Sequence, residues 1–246
     1  MSQVDSSRRG DPKRSGYSQF GEDRAALRML GESSGICVEV GGHNGISGST
    51  SYLFELLGRR CIVVEPVPYL AAQIRAVRSC SVVEAAADSS DGSAEFLIAT
   101  GGDTLSTLNN HNRVRSRIDE HRGSIESITV ATRTLDSILQ QHAADAVDVI
   151  TIDVEGNELA VLQGLTLERW QPRVLIIEDN SLCRDPSVRD YLAQHGYTRF
   201  WITVVNHWYC RSDDLTLNRT WRRAVSAVYC TLCRVFSRLF RSGQPE

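Results

Sequence analysis

Three short apolar runs in this chain each lead directly into acidic residues or glycines, and this pattern is the strongest constraint on the fold. The runs are Ile36–Val40, Cys61–Val64 and Val147–Ile152, and they lead into Gly41, Glu65 and Asp153. Apolar runs that alternate with helical patterns indicate β-α-β units around a parallel sheet. In such a sheet, ligands bind beyond the carboxyl ends of the strands. The sequence therefore predicts an α/β domain in which three strand ends meet at one ligand site.

The same periodicity predicts the other elements of a doubly wound, mostly parallel sheet. Strands are expected near 36–41, 60–65, 81–86, 147–153 and 172–178, and helices near 20–31, 48–57, 69–78, 157–165 and 186–195. A hairpin, 95–98 with 128–131, flanks a polar loop over 101–127, which at that length is more typical of a functional loop than of an idle one. Residues 198–205 and 207–210 are expected to form a closing antiparallel pair.

Length and composition favour a single soluble domain. A chain of 246 residues can bury one full core, and we expect the domain to span 17–212. Residues 1–16 are polar, without the apolar stretch of a secretory signal, so they predict a disordered tail and a cytoplasmic location. The net charge of −3 gives no general attraction to nucleic acid, and no nucleic-acid partner is expected. The sequence leaves self-association open.

The cysteines suit reduced thiols in a cytoplasmic core. Three of the seven lie in or beside apolar segments. Cys230 and Cys233 form a CxxC pair, but a second pair that would complete a zinc site is missing from the sequence. We therefore predict no metal there and place both residues on a helix.

The first strand end is rich in glycine. Gly41, Gly42 and Gly45 allow a sharp turn and close approach of a ligand, although each alone also suits a plain turn. Their spacing is not the dinucleotide fingerprint, while Glu65 stands where an acid would accept both ribose hydroxyls. An adenosyl compound that carries an amino acid fits better, with its ammonium group paired by Glu39 or Asp153.

Acidic residues also follow two later strands. Asp153 and Glu155 could act as a general base, bind an ammonium group or hold a hard cation, or Glu155 could simply cap the next helix. A further acidic group, Glu178-Asp179-Asn180, is either a solvated turn or part of the same rim. With Asp153, this group would supply oxygen ligands to magnesium in a metal-dependent enzyme.

Five motifs together carry a family resemblance. In chain order they are Tyr17-Ser18-Gln19-Phe20-Gly21-Glu22-Asp23, Val38 to Gly45 followed by Ser49-Thr50, Val64-Glu65-Pro66, Thr134-Leu135-Asp136, and Ile152 to Glu158. This order resembles the FkbM family of S-adenosylmethionine-dependent O-methyltransferases. The resemblance implies a Rossmann-like class I methyltransferase fold. It also implies methyl transfer to a hydroxyl group on a sugar, glycolipid, polyketide or other secondary metabolite.

The resemblance also assigns roles in binding S-adenosylmethionine. The methionine part would be surrounded by Glu39, Gly41, Asn44 and Gly45. Glu65 would bind the ribose and Asp88 would lie near the adenine, while Gln19 and Pro66 belong to the motifs that line the cofactor site. The chain departs from the family at Glu39, where aspartate is usual, and at Gly42-His43, where an alanine-containing pair is usual.

Methyl transfer to an alcohol requires one base, because the positive sulfur is already a good leaving group. Asp153 is the first candidate base, and Glu155 stands beside it. His207 is the second and His111 in the polar loop the third, although isolated histidines are more often structural. Trp201, Trp208 and Tyr209 would form either a platform for a sugar ring or part of the core. A binding module without turnover remains an alternative, since fold does not establish function.

The C-terminal segment 213–246 is distinctive because its stretch 219–241 combines an apolar stripe with arginines and contains no acid. Stepping at 100° per residue over 219–241 places one group on a single face: Trp221, Val225, Val228, Leu232, Val235, Phe236 and Leu239. This pattern predicts an amphipathic helix on the cytoplasmic face of a membrane, and with it a lipid-linked glycan acceptor. The alternative is that the apolar face packs on the domain or on a second subunit.

Overall fold

The computed structural model describes residues 16–100, 106–108 and 124–241. The strands are β1 (Ile36–Val40), β2 (Cys61–Val64), β3 (Ser81–Val83), β4 (Ala86–Ala87), β5 (Gly92–Thr100), β6 (Ser106–Thr107), β7 (Ser124–Arg133), β8 (Val147–Ile152), β9 (Val174–Glu178), β10 (Tyr197–Thr203) and β11 (Asn206–Arg211). The helices are α1 (Glu22–Leu30), α2 (Ser51–Leu56), α3 (Pro68–Val77), α4 (Leu135–Gln141), α5 (Glu158–Gln163), α6 (Leu167–Trp170), α7 (Ser187–Gln194) and α8 (Thr220–Arg241).

The main sheet has seven strands in the order β3-β2-β1-β8-β9-β11-β10. Only β11 runs antiparallel to its neighbours, β9 and β10. The strand order reverses between β1 and β8, which is the point where doubly wound sheets bind ligands. The predicted Rossmann-like methyltransferase sheet with an antiparallel closing strand is confirmed.

Strand register brings the predicted strand ends to one level. Val40 lies beside Val64 on one side and Ile152 on the other, and Ile152 lies beside Ile177. The residues that follow these four positions therefore share one edge of the sheet. The strands are buried on both faces, as their apolar runs predict. Val38 and Val40 belong to the core on one face, whereas Cys37 belongs to the core on the other.

A second sheet, in the order β4-β7-β5-β6, covers part of this edge. Its hairpin of β5 and β7 is longer than the predicted pairing of 95–98 with 128–131. Strand β7 begins at Ser124, so the predicted polar loop over 101–127 ends earlier than expected. Residues 101–105 and 109–123, with His111, lie outside the described residues. The predicted disordered tail over 1–16 also lies outside them, except for Gly16.

Helices and strands of the main sheet begin and end within three residues of their predicted positions. Helix α4 was not predicted. It begins after Thr134, whose side chain accepts a hydrogen bond from the Ser137 N–H at 3.1 Å. Asp136 then accepts hydrogen bonds from the Thr166 N–H and from the Trp170 indole, so the Thr-Leu-Asp motif joins two helices.

The closing strands are core elements. Trp208 and Tyr209 are buried, so their alternative as a sugar platform is wrong, and Trp201 packs on Trp208 with ring centroids 5.1 Å apart. Helix α8 follows and contacts β10. Within the described part of the chain, no helix has the length and apolar character to cross a membrane.

The expectation that all cysteines are reduced is wrong for one pair. Cys183 and Cys230 form a disulfide that joins the segment after β9 to the middle of α8. The sequence could not show this pairing, because the two residues meet only when α8 folds back along β10. Cys233, the second residue of the CxxC pair, lies on the helix as a free thiol.

Candidate active site

A cleft of about 310 Å³ opens at the point where the strand order reverses. Its polar side contains Gly41, Glu65, Asp153 and Glu155, which follow β1, β2 and β8. Its apolar side is formed by Leu70, Ala85, Ala86, Ala87, Phe96 and Leu108. Sequence reasoning missed Phe96 and Leu108 as site residues, because their place in the cleft depends on how the second sheet folds over the first.

Gly41 is required by the backbone around it. Its φ of +93° is a conformation that other residues rarely adopt. A Cβ at this position would also clash with the backbone carbonyl oxygen of Asp153. The strand ends of β1 and β8 can therefore approach this closely only because residue 41 lacks a side chain.

Glu65 is a buried carboxylate on the wall of the cleft, only 4% exposed. One oxygen accepts the His43 N–H at 2.8 Å, and the other accepts the Val67 N–H at 3.0 Å. The Gly42 N–H is a third backbone donor to this carboxylate. A carboxylate can accept about four hydrogen bonds, so capacity remains for a hydroxyl group of a ligand. Burial raises the pKa of Glu65 to about 7, although the backbone donors oppose the shift.

A smaller hollow of about 60 Å³ lies on the other side of Gly41 and Asp153. Its lining includes Gln19, Glu39 and Thr50. The two hollows share Val40, Gly41 and Asp153, so an extended ligand could occupy both.

The acids of the Ser-Gln-Phe-Gly-Glu-Asp motif hold the N-terminal segment over this smaller hollow. Asp23 accepts hydrogen bonds from the Tyr17 N–H and the Ser18 hydroxyl. Glu22 accepts from Thr203 and Asn206, both at 3.0 Å, at the far end of the closing strands. These acids position Gln19 and are themselves almost fully buried.

Glu39 is the centre of a buried network that the sequence did not reveal. Its oxygens accept from the Ser49 and Ser51 hydroxyls and from the Thr50 N–H. The Arg78 guanidinium lies 3.3 Å away and its side chain has no solvent exposure. Glu39 also lines the smaller hollow, but its hydrogen bonds fix the start of α2 relative to β1.

Asn44 and Gly45 shape the loop after β1. The Asn44 side chain accepts from the Ile46 and Ser47 N–H groups, both at 2.9 Å. Gly45 has a φ of +79°, and a Cβ there would press on Ile74. Pro66 lines the larger cleft, whereas Asp88 lies one residue beyond Ala87, the last lining residue of that segment. The cofactor roles of these four residues stay predictions.

Three carboxylates form the acidic rim of the site. Asp153, Glu155 and Glu178 each have one oxygen within 4.8 Å of the others. The Asp153 carboxylate opens onto the cleft but is otherwise surrounded by protein, and this desolvation, with the charges of Glu158 and Glu39, raises its pKa. Desolvation and the negative charge of Asp153 raise the pKa of Glu178 to about 9. Glu178 therefore carries a proton at neutral pH and donates a hydrogen bond to Asp153.

Glu155 stands at a strained position. Its φ of +54° is in the left-handed region, and Gly156 follows with φ +113°. The Gly156 N–H donates to the Glu158 carboxylate at 2.8 Å, so Glu158 helps to fix this turn. The capping role considered for Glu155 stays a prediction. A left-handed residue other than glycine is uncommon and often marks a functional turn.

His207 does not line the main cleft. It is buried in a second hollow of about 100 Å³, where it contacts Arg199, Asp179 and Cys183. Burial lowers its pKa to about 4, so the imidazole is neutral at physiological pH. Its partners fix it between β9 and the disulfide, and Asp153 is better placed as a base.

Two clusters in the described residues have the spacing of metal ligands. Asp153, Glu155 and Glu178 form the first. The second joins His207 to Cys183 and Cys230, but the disulfide removes both thiolates. Asp179 and Asn180, expected as magnesium ligands, have other partners: Asp179 accepts from the Ser181 N–H and lies beside His207, and Asn180 donates to Glu178.

Comparison with known proteins gives one family match. Residues 39–199 match the family model of the methyltransferase FkbM domain. The crystal structure of a "putative RNA methyltransferase" from Pyrococcus horikoshii aligns with 83% of this chain and 91% of its own, at 11% identity and a TM-score of 0.39. That likeness is too distant to inform function. No curated protein matches the sequence significantly.

The matched region contains the first three strand ends, the acidic rim and most of the cleft lining. The resemblance that the motifs gave is confirmed, and the chain belongs to the FkbM methyltransferase family.

Proposed function

We propose that the chain is an S-adenosylmethionine-dependent O-methyltransferase that acts on a hydroxyl group of a glycan, glycolipid or secondary metabolite. The observation that carries this proposal is the position of Glu65. Its buried carboxylate, with unused acceptor capacity, lines a cleft whose other lining side chains are largely apolar. An adenosine needs this pairing of a hydroxyl acceptor with an apolar slot for the base.

The dimensions and the residues of the two hollows fit the proposed cofactor. The larger cleft is within the range of small-molecule sites, about 300–1,000 Å³. Phe96 and Leu108 would pack on the adenine, and Glu65 would accept the ribose hydroxyls. The smaller hollow would take the methionine end, where Gln19 is polar and Glu39 and Asp153 complement an ammonium group. Gly41 lines both hollows, and a Cβ there would clash with the Asp153 carbonyl oxygen.

The acidic rim supplies the base. When bound, the cofactor supplies a methyl group on a positive sulfur, so the acceptor oxygen needs only orientation and loss of its proton. Asp153 opens onto the cleft, and its raised pKa makes it a stronger base than an ordinary carboxylate. Glu178 donates a hydrogen bond to Asp153 and so holds that carboxylate in place. Glu155, on its strained turn, borders the space left for the acceptor.

Calorimetric titration tests cofactor choice. The protein should bind S-adenosylmethionine and S-adenosylhomocysteine but not a nicotinamide dinucleotide. Equal affinity for the dinucleotide would contradict the proposal. Mass spectrometry of glycolipids and small metabolites, incubated with protein and cofactor, should then show the gain of one methyl group on oxygen. Cofactor binding without a methylated product in any acceptor class would favour a binding module.

A metal-dependent variant is the second candidate, because Asp153, Glu155 and Glu178 converge. A magnesium ion on these oxygens would replace the shared proton and orient the acceptor. Activity that is lost with a chelator and restored by magnesium would support this variant. Activity that survives the chelator would leave Asp153 as the base.

A further inference from the structure

Helix α8 exposes its apolar face. Trp221, Val225, Val228, Leu232 and Val235 are 60%, 55%, 60%, 50% and 47% exposed. At 100° per residue, these five side chains lie on one side of the helix. A soluble domain normally turns such a stripe toward its own core. The expectation that this face packs on the domain is therefore wrong for the described part of the helix.

The opposite face holds the helix on the domain. Ser226 and Cys230 are buried there, and Cys230 is bonded to Cys183. The Tyr229 hydroxyl donates to the Val204 carbonyl at 2.9 Å, and the Arg234 Nε donates to the Cys183 carbonyl at 2.8 Å. Because these contacts fix the rotation of the helix, the apolar stripe is held outward.

The charge of this segment selects the partner. Arg219 and the helix contain six arginines and no acid, in a chain whose net charge is −3: Arg219, Arg222, Arg223, Arg234, Arg238 and Arg241. Arg219 and Arg223 are exposed. A helix is about 10–12 Å across, so arginines behind the apolar stripe remain within about one Debye length of a surface that the stripe touches.

We propose that α8 docks on an anionic lipid surface, with the exposed apolar face buried at the interface and the arginines near the headgroups. A second copy fits less well, because pairing the apolar stripes would bring together two arginine-rich helices that carry no acid to complement them. A membrane-spanning role is excluded by length, since the uncharged stretch Ala224–Cys233 is ten residues and a span needs about 20.

The direction of α8 relates this surface to the cleft. Arg222 lies over the Phe200 ring within β10, Tyr229 contacts Val204 after β10, and Arg234 contacts Cys183 after β9. The helix thus runs toward the carboxyl edge of the sheet, where the cleft opens. If the proposed function holds, an acceptor presented at a lipid surface would approach from this side. The docking proposal itself does not depend on methyl transfer.

Vesicle sedimentation with the full chain tests the proposal. The protein should pellet with vesicles of phosphatidylcholine and phosphatidylglycerol and remain largely soluble with phosphatidylcholine alone. The double variant Val228→Ser with Leu232→Ser should lower partitioning about tenfold or more, because it removes apolar burial. Arg219→Gln and Arg223→Gln should each lower it about fivefold at low salt and have less effect at high salt.

A matched control is Leu56→Ser with Val77→Ser, which removes two exposed apolar side chains from α2 and α3. This control should partition like the parent protein, and thermal melting should show that all variants remain folded. Equal pelleting of the helix variant and the control would overturn the proposal. A dimer in solution that the Val228→Ser and Leu232→Ser changes dissociate, without vesicle binding by the parent protein, would also overturn it in favour of a second copy.

Discussion

The backbone carbonyl oxygen of Asp153 occupies the space that a Cβ atom would need at Gly41. This contact joins the end of β1 to the end of β8, and both proposed parts of the cofactor site meet there. A side chain at residue 41 must therefore separate the two strands or displace the Asp153 backbone. Either movement changes the site at the residue proposed as the base.

Gly41→Ala should destabilise the fold and abolish cofactor binding. The left-handed backbone alone costs an alanine roughly 1–2 kcal/mol, and the clash adds about 1–3 kcal/mol. Gly58→Ala is the matched control, because Gly58 also has a positive φ, +79°, but open space around it. Chemical denaturation should show the smaller loss for Gly58→Ala, with calorimetric affinity unchanged. Normal binding by Gly41→Ala would mean that the strand ends separate without harm.

Cofactor affinity should rise with pH up to about 7 and then level off. The pKa of Glu65 is raised from 4.5 to about 7 by burial, so this carboxyl stays protonated in the ligand-free protein up to about pH 7. Ribose hydroxyls donate to the ionised carboxylate, and binding therefore releases the proton. By the same linkage, the stability of the ligand-free protein should fall as pH rises from 4.5 to 7. The Glu65→Gln variant should bind the cofactor weakly at every pH. A pH-independent affinity in the parent protein would contradict this assignment.

Mutation should distinguish the roles of two rim carboxylates, Asp153 as the base and Glu178 as its hydrogen-bond donor. Asp153→Asn should lower the methyl-transfer rate roughly 10²–10⁴-fold, with cofactor affinity largely kept. In the parent protein the rate should fall above about pH 9, when Glu178 ionises and stops donating to Asp153. Glu178→Gln keeps a donor that does not titrate, so this alkaline decline should disappear. Near-normal turnover in Asp153→Asn would move the base elsewhere.

The main sheet could be predicted because its strands are apolar on both faces and their ends carry acids and glycines. The spacing of the apolar residues, and the glycines and acids that follow each apolar run, encode these features directly in the sequence. The site could be predicted only in part. Glu65 and Asp153 follow strands, whereas Phe96 and Leu108 reach the cleft through the second sheet. Arg78 was missed because nothing near it in sequence marks a lone arginine after α3 as buried.

The C-terminal helix shows a second limit of sequence reasoning. Its amphipathic pattern predicted the helix within one residue of its observed start. Such a pattern defines an apolar and a polar face but does not show which of them packs on the domain. Cys230 decides the orientation, since its bond to Cys183 lies on the face opposite the apolar stripe. Pairing over 47 residues of sequence separation has no local signal.

The disulfide should stabilise the attachment of α8. Cys230→Ser should lower the free energy of unfolding by about 2–4 kcal/mol under oxidising conditions, because a long loop loses its crosslink. Cys233→Ser is the matched control on the same helix, since Cys233 is a free thiol. Denaturation with and without a reducing agent measures both variants. The reducing agent should lower the free energy of unfolding of the parent protein and leave that of Cys230→Ser unchanged. An equal effect on both proteins would contradict the prediction.

The Glu39 and Arg78 pair should be the most costly of the described ion pairs to break. Arg78 lacks solvent exposure and contacts Glu39, Glu55 and Ser51, so Arg78→Ala would leave a buried carboxylate without its cation. Loss of one partner from such a pair typically costs about 3–5 kcal/mol. Arg75→Ala is the matched control, because Arg75 pairs with Glu84 at 2.7 Å with both side chains more than a third exposed. That surface pair should contribute about 0–1 kcal/mol. Urea denaturation of both variants measures the difference.

Since Glu39 also borders the smaller hollow, Arg78→Ala should weaken cofactor binding in addition to stability, whereas Arg75→Ala should leave both unchanged. Similar losses in the two variants would mean that the network around Glu39 can rearrange without its arginine.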